Sequence, residues 1–250
     1  MAIMIKTPQE VEKMRRSGAV VHEILDYVRG FVKPGATTMD LETAAAAKIA
    51  ELGATPAFKG YHGYPAVLCT SVNNEVVHGI PSANRVLRDG DIVSIDTGVI
   101  IDGFYGDSAI TVPVGEKIAP KTQRLLDVTR ASLESGIRAV KAGAFLGDIG
   151  AAVQEVVEAD GFSVVRDFVG HGIGTRMHED PQVPNYGQRG AGTKLRAGMV
   201  LAIEPMVNAG KPGVQVLSDG WTAVTEDGSL SAHFEHTVAV TAEGAVILTQ

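Results

Sequence analysis

The chain has 250 residues, 45% of them hydrophobic and 20% charged, with a formal net charge of −7. This is ordinary globular usage, enough to build one large core or two small ones. The acidic balance argues against nucleic-acid binding through a basic surface, the single cysteine (Cys69) excludes an intramolecular disulfide, and no apolar run reaches membrane-spanning length. The N-terminal Met-Ala-Ile-Met-Ile-Lys is too short and too weakly apolar for a signal peptide, so a cytoplasmic protein is expected.

The first helix is predicted from Thr7 toward Arg29, with Pro8 at its first position and Glu10 closing a capping box. An Ala-rich helix over residues 39–52 follows and stops before Gly53. Residues 91–101 are β-branched and apolar, Asp102-Gly103 is a strong hairpin signal, and residues 104–114 resume as a strand. Two further helices are predicted over residues 121–141 and 148–160, the second ending before Gly161. Strand-like segments then cover residues 199–205 and 232–240.

This order contains an echo. Val32-Lys-Pro-Gly-Ala-Thr-Thr-Met-Asp-Leu41 matches Val140-Lys-Ala-Gly-Ala-Phe-Leu-Gly-Asp-Ile149, and at the same offset Ala44 meets Ala152 and Gly53 meets Gly161. Each copy follows one helix and opens another. The pattern predicts an internal duplication, roughly residues 1–115 and 116–250. No Pro/Ser-rich linker separates the halves, so a single domain is expected, with its site at the seam.

Candidate metal ligands fall at structural edges: Asp96 and Asp107, then His171, Glu204 and Glu235. Four carboxylates and one imidazole suit divalent cations that share ligands. With Asp102 and Gly103 as turn residues, Ile101 pairs with Phe104 and Asp96 lies opposite Ala109. Asp107 is then diagonal to Asp96 on the same face, at about 7–8 Å. Two such carboxylates repel, and burying both costs several kcal/mol or forces one to bind a proton, unless a cation lies between them. His171 sits in Phe168-Val-Gly-His-Gly-Ile-Gly174, which lacks the spacing of a phosphate loop. Glu204 ends an apolar strand, with Pro205 stopping the ladder behind it. By strand alternation His236 faces away from Glu235, whereas His233 shares its face if the strand is regular. His22 reads as a surface or packing residue, and His62 as a pocket or loop residue.

With these motifs in view, the chain resembles the type I methionine aminopeptidases of bacteria over essentially its whole length. The likeness rests on Gly60-Tyr-His-Gly-Tyr-Pro65, Asn74-Glu-Val-Val-His-Gly-Ile-Pro81, Ser94-Ile-Asp-Thr-Gly98, Asp102-Gly-Phe-Tyr-Gly-Asp107, Gly170-His-Gly-Ile-Gly174, His178-Glu-Asp-Pro-Gln182, Ile203-Glu-Pro-Met206 and Phe234-Glu-His-Thr237. It implies an α/β "pita-bread" fold, two pseudo-symmetric halves of curved antiparallel sheet flanked by helices. It also implies removal of the initiator methionine from nascent polypeptides whose second residue is small.

By the same resemblance, Asp96, Asp107, His171, Glu204 and Glu235 hold two divalent ions, with Asp107 and Glu235 bridging. The ligand set admits Co, Mn, Fe, Zn or Ni. A metal-bridging hydroxide would attack the peptide carbonyl. Glu204 would be the general base, His178 would stabilise the oxyanion, and His78 would bond the scissile amide. Tyr61, Tyr64, Cys69, Met177 and Trp221, with Phe58 beside them, would form the apolar methionine slot. Met177 stands where relatives often carry an aromatic. The resemblance further implies a monomer working near the ribosome exit through the catalytic domain's own surface, with no zinc-finger extension.

Three alternatives remain open at this point. An Xaa-Pro aminopeptidase or prolidase shares the five ligands and the fold, usually with an added N-terminal domain. A non-catalytic binding member of the fold would be expected to lose ligands or gain basic extensions. A purely structural metal site would need neither His78 nor His178.

Overall fold

A computed structural model describes residues 2–250. The first half opens with α1 (Pro8–Arg29) and α2 (Thr38–Glu51), each started by a reciprocal cap. The Glu10 carboxylate accepts from the Thr7 amide at 2.8 Å while the Thr7 hydroxyl accepts from the Glu10 amide at 3.3 Å. Thr37 and Asp40 do the same at 2.7 and 3.1 Å, so α2 begins one residue before the predicted start. The strands β1 (Thr55–Pro56), β2 (Cys69–Val72), β3 (Glu75–Val77), β4 (Ile92–Ile101) and β5 (Phe104–Pro113) complete this half.

The second half opens with α3 (Pro120–Arg138) and α4 (Leu146–Ala159). Here α3 stops short of the predicted Lys141, because Val140-Lys-Ala-Gly143 turns as Val32-Lys-Pro-Gly35 does; Gly35 and Gly143 share a positive φ, at 90° and 92°. The Asp148 carboxylate accepts from the Phe145 amide at 2.7 Å, which starts α4 two residues earlier than expected. Then follow β6 (Ser163–Val164), β7 (Gly170–Gly172), β8 (Glu179–Val183), β9 (Val200–Ile203), β10 (Met206–Asn208), β11 (Val214–Val216), β12 (Ala223–Thr225), β13 (Ser231–His233), β14 (Glu235–Val240) and β15 (Ala245–Ile247).

The principal sheet is antiparallel and runs β1-β4-β5-β14-β9-β7-β8, with β2 on β4 and β15 on β14. The Asp102-Gly103 hairpin has the expected register: Ile101 opposite Phe104 and Asp96 opposite Ala109. Both turn residues have positive φ, 51° and 79°, as a tight two-residue hairpin demands. The halves meet where β5 pairs β14, Ala109 against Glu235 and Ser108 against His236. Separate apolar cores lie on either side. One is formed by residues such as Ile24, Leu41 and Ile95, the other by Leu125, Ile149 and Ile203. α1 and α2 cover the first, and α3 and α4 the second, so burial of each helix's apolar stripe bends the common sheet.

One strand departs from its prediction. Residues 232–240 do not form a single strand: the chain breaks at Phe234, β13 pairs β10, and β14 pairs β9. The facing chain breaks at Glu204-Pro205, between β9 and β10. Two neighbouring strands therefore leave the large sheet together for the small β13-β10-β6 sheet. The corner carries Glu204 in the break after β9 and Glu235 at the start of β14.

Candidate metal centre and active site

Asp96, Asp107, His171, Glu204 and Glu235 all line one cavity of ≈ 290 Å³. Asp96 and Asp107 come from the first half's hairpin, while His171 and Glu235 come from β7 and β14 of the second and Glu204 directly follows β9 between them. Ligand atoms of Asp107, His171 and Glu235 lie within 4.8 Å of one another, and all three residues are buried. The seam holds them: Thr237 Oγ1 donates to the Asp107 carbonyl at 2.7 Å and accepts from its amide at 3.2 Å, and Ser108 Oγ donates to the Glu235 carbonyl.

The electrostatics are unfavourable without a cation. Burial, with mutual repulsion, raises the pKa of Asp96, Glu204 and Glu235 well above the carboxylate range; burial lifts Asp107 to about 7. Asp96 Oδ1, Asp107 Oδ1 and Glu235 Oε1 are buried with no hydrogen-bond partner. Burial holds His171 neutral, at about 3. Its Nδ1 lies 3.0 Å from the Gly172 carbonyl and so carries the proton, leaving a bare Nε2 lone pair. That lone pair faces Glu204 Oε1 at 3.6 Å and Asp107 Oδ2 at 3.9 Å. An imidazole acceptor aimed at carboxylate acceptors lacks the positive charge that would reconcile them. The backbone-bonded Nδ1 is also the arrangement that fixes a metal-ligating histidine. The donor set therefore fits divalent metal.

The remaining predicted residues surround this floor. Phe58, Tyr61, Tyr64, Cys69, Met177 and Trp221 line the same cavity, as do His62, His78 and His178. Tyr64 is held by hydrogen bonds from its hydroxyl to the Leu68 and Gly79 carbonyls, 2.9 and 3.0 Å. Glu42 orders the loop before Cys69 by accepting from the amides of Val67 and Leu68, 2.8 and 2.9 Å. Asp219 accepts from the Trp221 amide at 2.8 Å. Cys69 pairs with Asp96 across β2 and β4, and burial raises its thiol so that it stays protonated and acts as a small apolar wall. His78, at φ 61°, meets Phe168 and Trp221 edge-on, and burial lowers it to about 4. His178 lies at the accessible mouth, where partial burial and neighbouring His62 hold it below its ordinary value. Its Nδ1 is 2.7 Å from the Tyr61 hydroxyl.

His236 points out of the site and bonds Thr249 Oγ1 at 2.9 Å, as alternation requires, and His22 is an exposed residue of α1. Strand alternation alone does not settle which way His233 faces. His233 lines the cavity, with Nε2 3.7 Å from Glu204 Oε2 and no hydrogen-bond partner, although the strand breaks between it and Glu235. Phe168, Val169, Val77 and Met206 are additional walls. Loop and neighbouring-strand packing brings them in.

A model of metallopeptidase family M24 matches residues 12–242, spanning nearly all of these groups. The chain belongs to metallopeptidase family M24. It is 51% identical to the methionine aminopeptidase of Clostridium acetobutylicum over 99% of this chain and 98% of that one. It superposes on the crystal structure of methionine aminopeptidase from Thermotoga maritima with a TM-score of 0.98 and 52% identity, each chain covered fully. The prolidase of Pyrococcus horikoshii shares the fold, with a TM-score of 0.79 at 20% identity; 98% of this M24 chain covers 63% of that longer protein. The architecture is thus the α/β pita-bread fold expected from the sequence.

Proposed function

We infer that this M24 metallopeptidase is a methionine aminopeptidase, removing the N-terminal methionine from polypeptides by metal-assisted hydrolysis. Identity of about half over the full length of curated methionine aminopeptidases supports the activity. The observation that carries the chemistry is the buried carboxylate cluster facing the unprotonated Nε2 of His171 at the floor of an apolar pocket.

In this reading Asp96, Asp107, His171, Glu204 and Glu235 would hold two divalent cations, Co, Mn, Fe, Zn or Ni. When bound, the cations polarise the substrate and lower the pKa of bound water so that a nucleophile is available near neutral pH, as in two-metal hydrolases generally, aminopeptidases among them. Glu204 takes the proton of the attacking water and returns it to the leaving amine. With the Tyr61 hydroxyl, kept protonated by burial, donating to Nδ1 of His178 2.7 Å away, the remaining ring proton would sit on Nε2. That N–H stabilises charge growing on the carbonyl oxygen. His78, neutral and wedged between aromatic rings, accepts from the scissile amide N–H.

Tyr61, Tyr64, Cys69, Met177, Trp221 and Phe58 grip the methionine thioether, for which polarizable and aromatic walls are well suited. A small second residue is favoured. The duplication at residues 1–115 and 116–250 is supported by isolated bridges at corresponding places, Thr37 with Val86 and Phe145 with Lys194. The protein works in the cytoplasm as a monomer on nascent chains near the ribosome exit; among the described residues no helix is long and apolar enough to cross a membrane. A peptide panel tests the activity. Release of methionine from Met-Gly peptides with Xaa-Pro peptides left intact is expected, and the reverse preference would replace this reading with the prolidase one.

A further inference from the structure

The His178 loop is fastened by a buried ion pair that the chemistry above does not use. Lys6 Nζ lies 2.6 Å from Glu179 Oε2, and the two side chains are 6% and 1% exposed. Residues 173–178, which join β7 to β8, have no regular structure, yet they carry Met177 in the pocket wall and His178 at its mouth. Glu179 grips this loop from its C-terminal end. Its second oxygen accepts from the Arg176 amide at 3.2 Å, and its backbone sits opposite Gly172, next to His171. Lys6 is itself anchored, its amide donating to the Gly198 carbonyl at 2.7 Å. The fit is close: a Cβ on Gly174 would collide with Lys6 Cε and lie 2.7 Å from Glu179 Oε1, and one on Gly198 would lie 2.6 Å from the Lys6 carbonyl.

A buried ion pair adds little net stability over an apolar pair of the same volume, because desolvating both charges offsets their attraction. Its distinctive contribution is direction. We propose that Lys6 and Glu179 are positioning residues that set the loop bearing Met177 and His178, so that the N-terminal segment fixes the geometry of the oxyanion group and of one wall of the methionine pocket. This rests on the role given to His178 above.

The test is Lys6→Met/Glu179→Gln, which removes both charges, keeps the side-chain volumes and leaves an acceptor for the Arg176 amide. Melting temperature and bound metal should stay near wild type. Turnover of a Met-Gly peptide should fall about 10- to 100-fold, the range for a lost supporting contact or a displaced catalytic group, with a smaller rise in KM. In a His178→Ala background the same double change should alter kcat less than about twofold, because the group it positions is gone. Wild-type kcat in the folded double variant, or an equal loss in both backgrounds, would overturn the proposal. Should the double variant not fold, Lys6→Arg serves instead: it keeps the charge but displaces the carboxylate, and unchanged kcat would again count against positioning. His178→Ala at wild-type speed would remove the His178 assignment itself. His178→Ala slow beside normal clamp variants would remove only the clamp.

Discussion

The floor and the walls of the cavity are built differently. The acidic floor rests on strands locked in register, with Asp96 and Asp107 on one hairpin and His171, Glu204 and Glu235 on or beside adjacent strands joined through the β5–β14 seam. Apart from Cys69 on β2, the predicted pocket walls come from around a short 3₁₀ turn at Tyr61–Gly63, the irregular loop before β8, and the turn holding Trp221. The acidic groups are held by sheet register, while most of the groups proposed to recognise a thioether sit on irregular segments. The chemistry therefore should respond to floor substitutions through metal and kcat, and to wall substitutions through KM.

The largest effect is expected on the floor. Asp107→Asn, nearly isosteric, should abolish measurable methionine release and reduce metal binding in a calorimetric titration by more than the about 10- to 100-fold typical of a residue that merely supports a ligand. Retained activity would separate Asp107 from the metal. Next comes the group between floor and wall: His178→Ala should lower kcat about 10²- to 10³-fold while metal content, measured by mass spectrometry of the protein, stays at wild type. A wall change should be milder. Met177→Ala should reduce kcat/KM for Met-Gly peptides by about 10-fold, chiefly through KM, as loss of an apolar pocket contact does. A fall in kcat alone would erase the proposed division of labour.

The smallest effect is on stability, and it belongs to the floor alone. The raised pKa values of Asp96, Asp107, Glu204 and Glu235 mean that the folded, metal-free protein holds protons the unfolded chain has released. That contribution is complete below about pH 4 and is lost as pH climbs through the native values, about 7 for Asp107. The buried imidazoles, His171 and His233 at about 3, work in the opposite sense, but only below about pH 6.5. Between pH 6.5 and 8 the carboxylates act without that opposition, so the melting temperature of metal-free protein should fall by roughly a few degrees. Divalent cation should remove the fall; a flat profile without metal would mean the cluster is better solvated than its burial indicates.

The same contrast explains what could be read from the chain. Threonine caps, the hairpin dipeptide and alternation along a strand are local rules, so α1, the Asp96/Asp107 register and the outward turn of His236 followed directly from the residues. The break at Phe234 did not. It arises because two paired strands change sheets together, an event decided by their partners, and it brings His233 into the cavity from a strand of its own. The Tyr61–His178 contact and the Lys6–Glu179 pair span 117 and 173 residues, beyond the reach of any periodicity. The wall residues Phe168 and Val169 open the Gly-rich segment around His171, but only the folded loops place them in the wall.

The central claim, that these five side chains hold the metal that makes the chain a peptidase, is tested most directly by methionine release from a Met-Gly peptide. Chelator-treated wild type and Asp107→Asn would be assayed side by side as Co, Mn, Fe, Zn and Ni are restored in turn. Release absent without metal, recovered in the wild type by at least one ion and recovered by none in Asp107→Asn is the predicted result. Release by the metal-free protein, or equal recovery in both proteins, would contradict it.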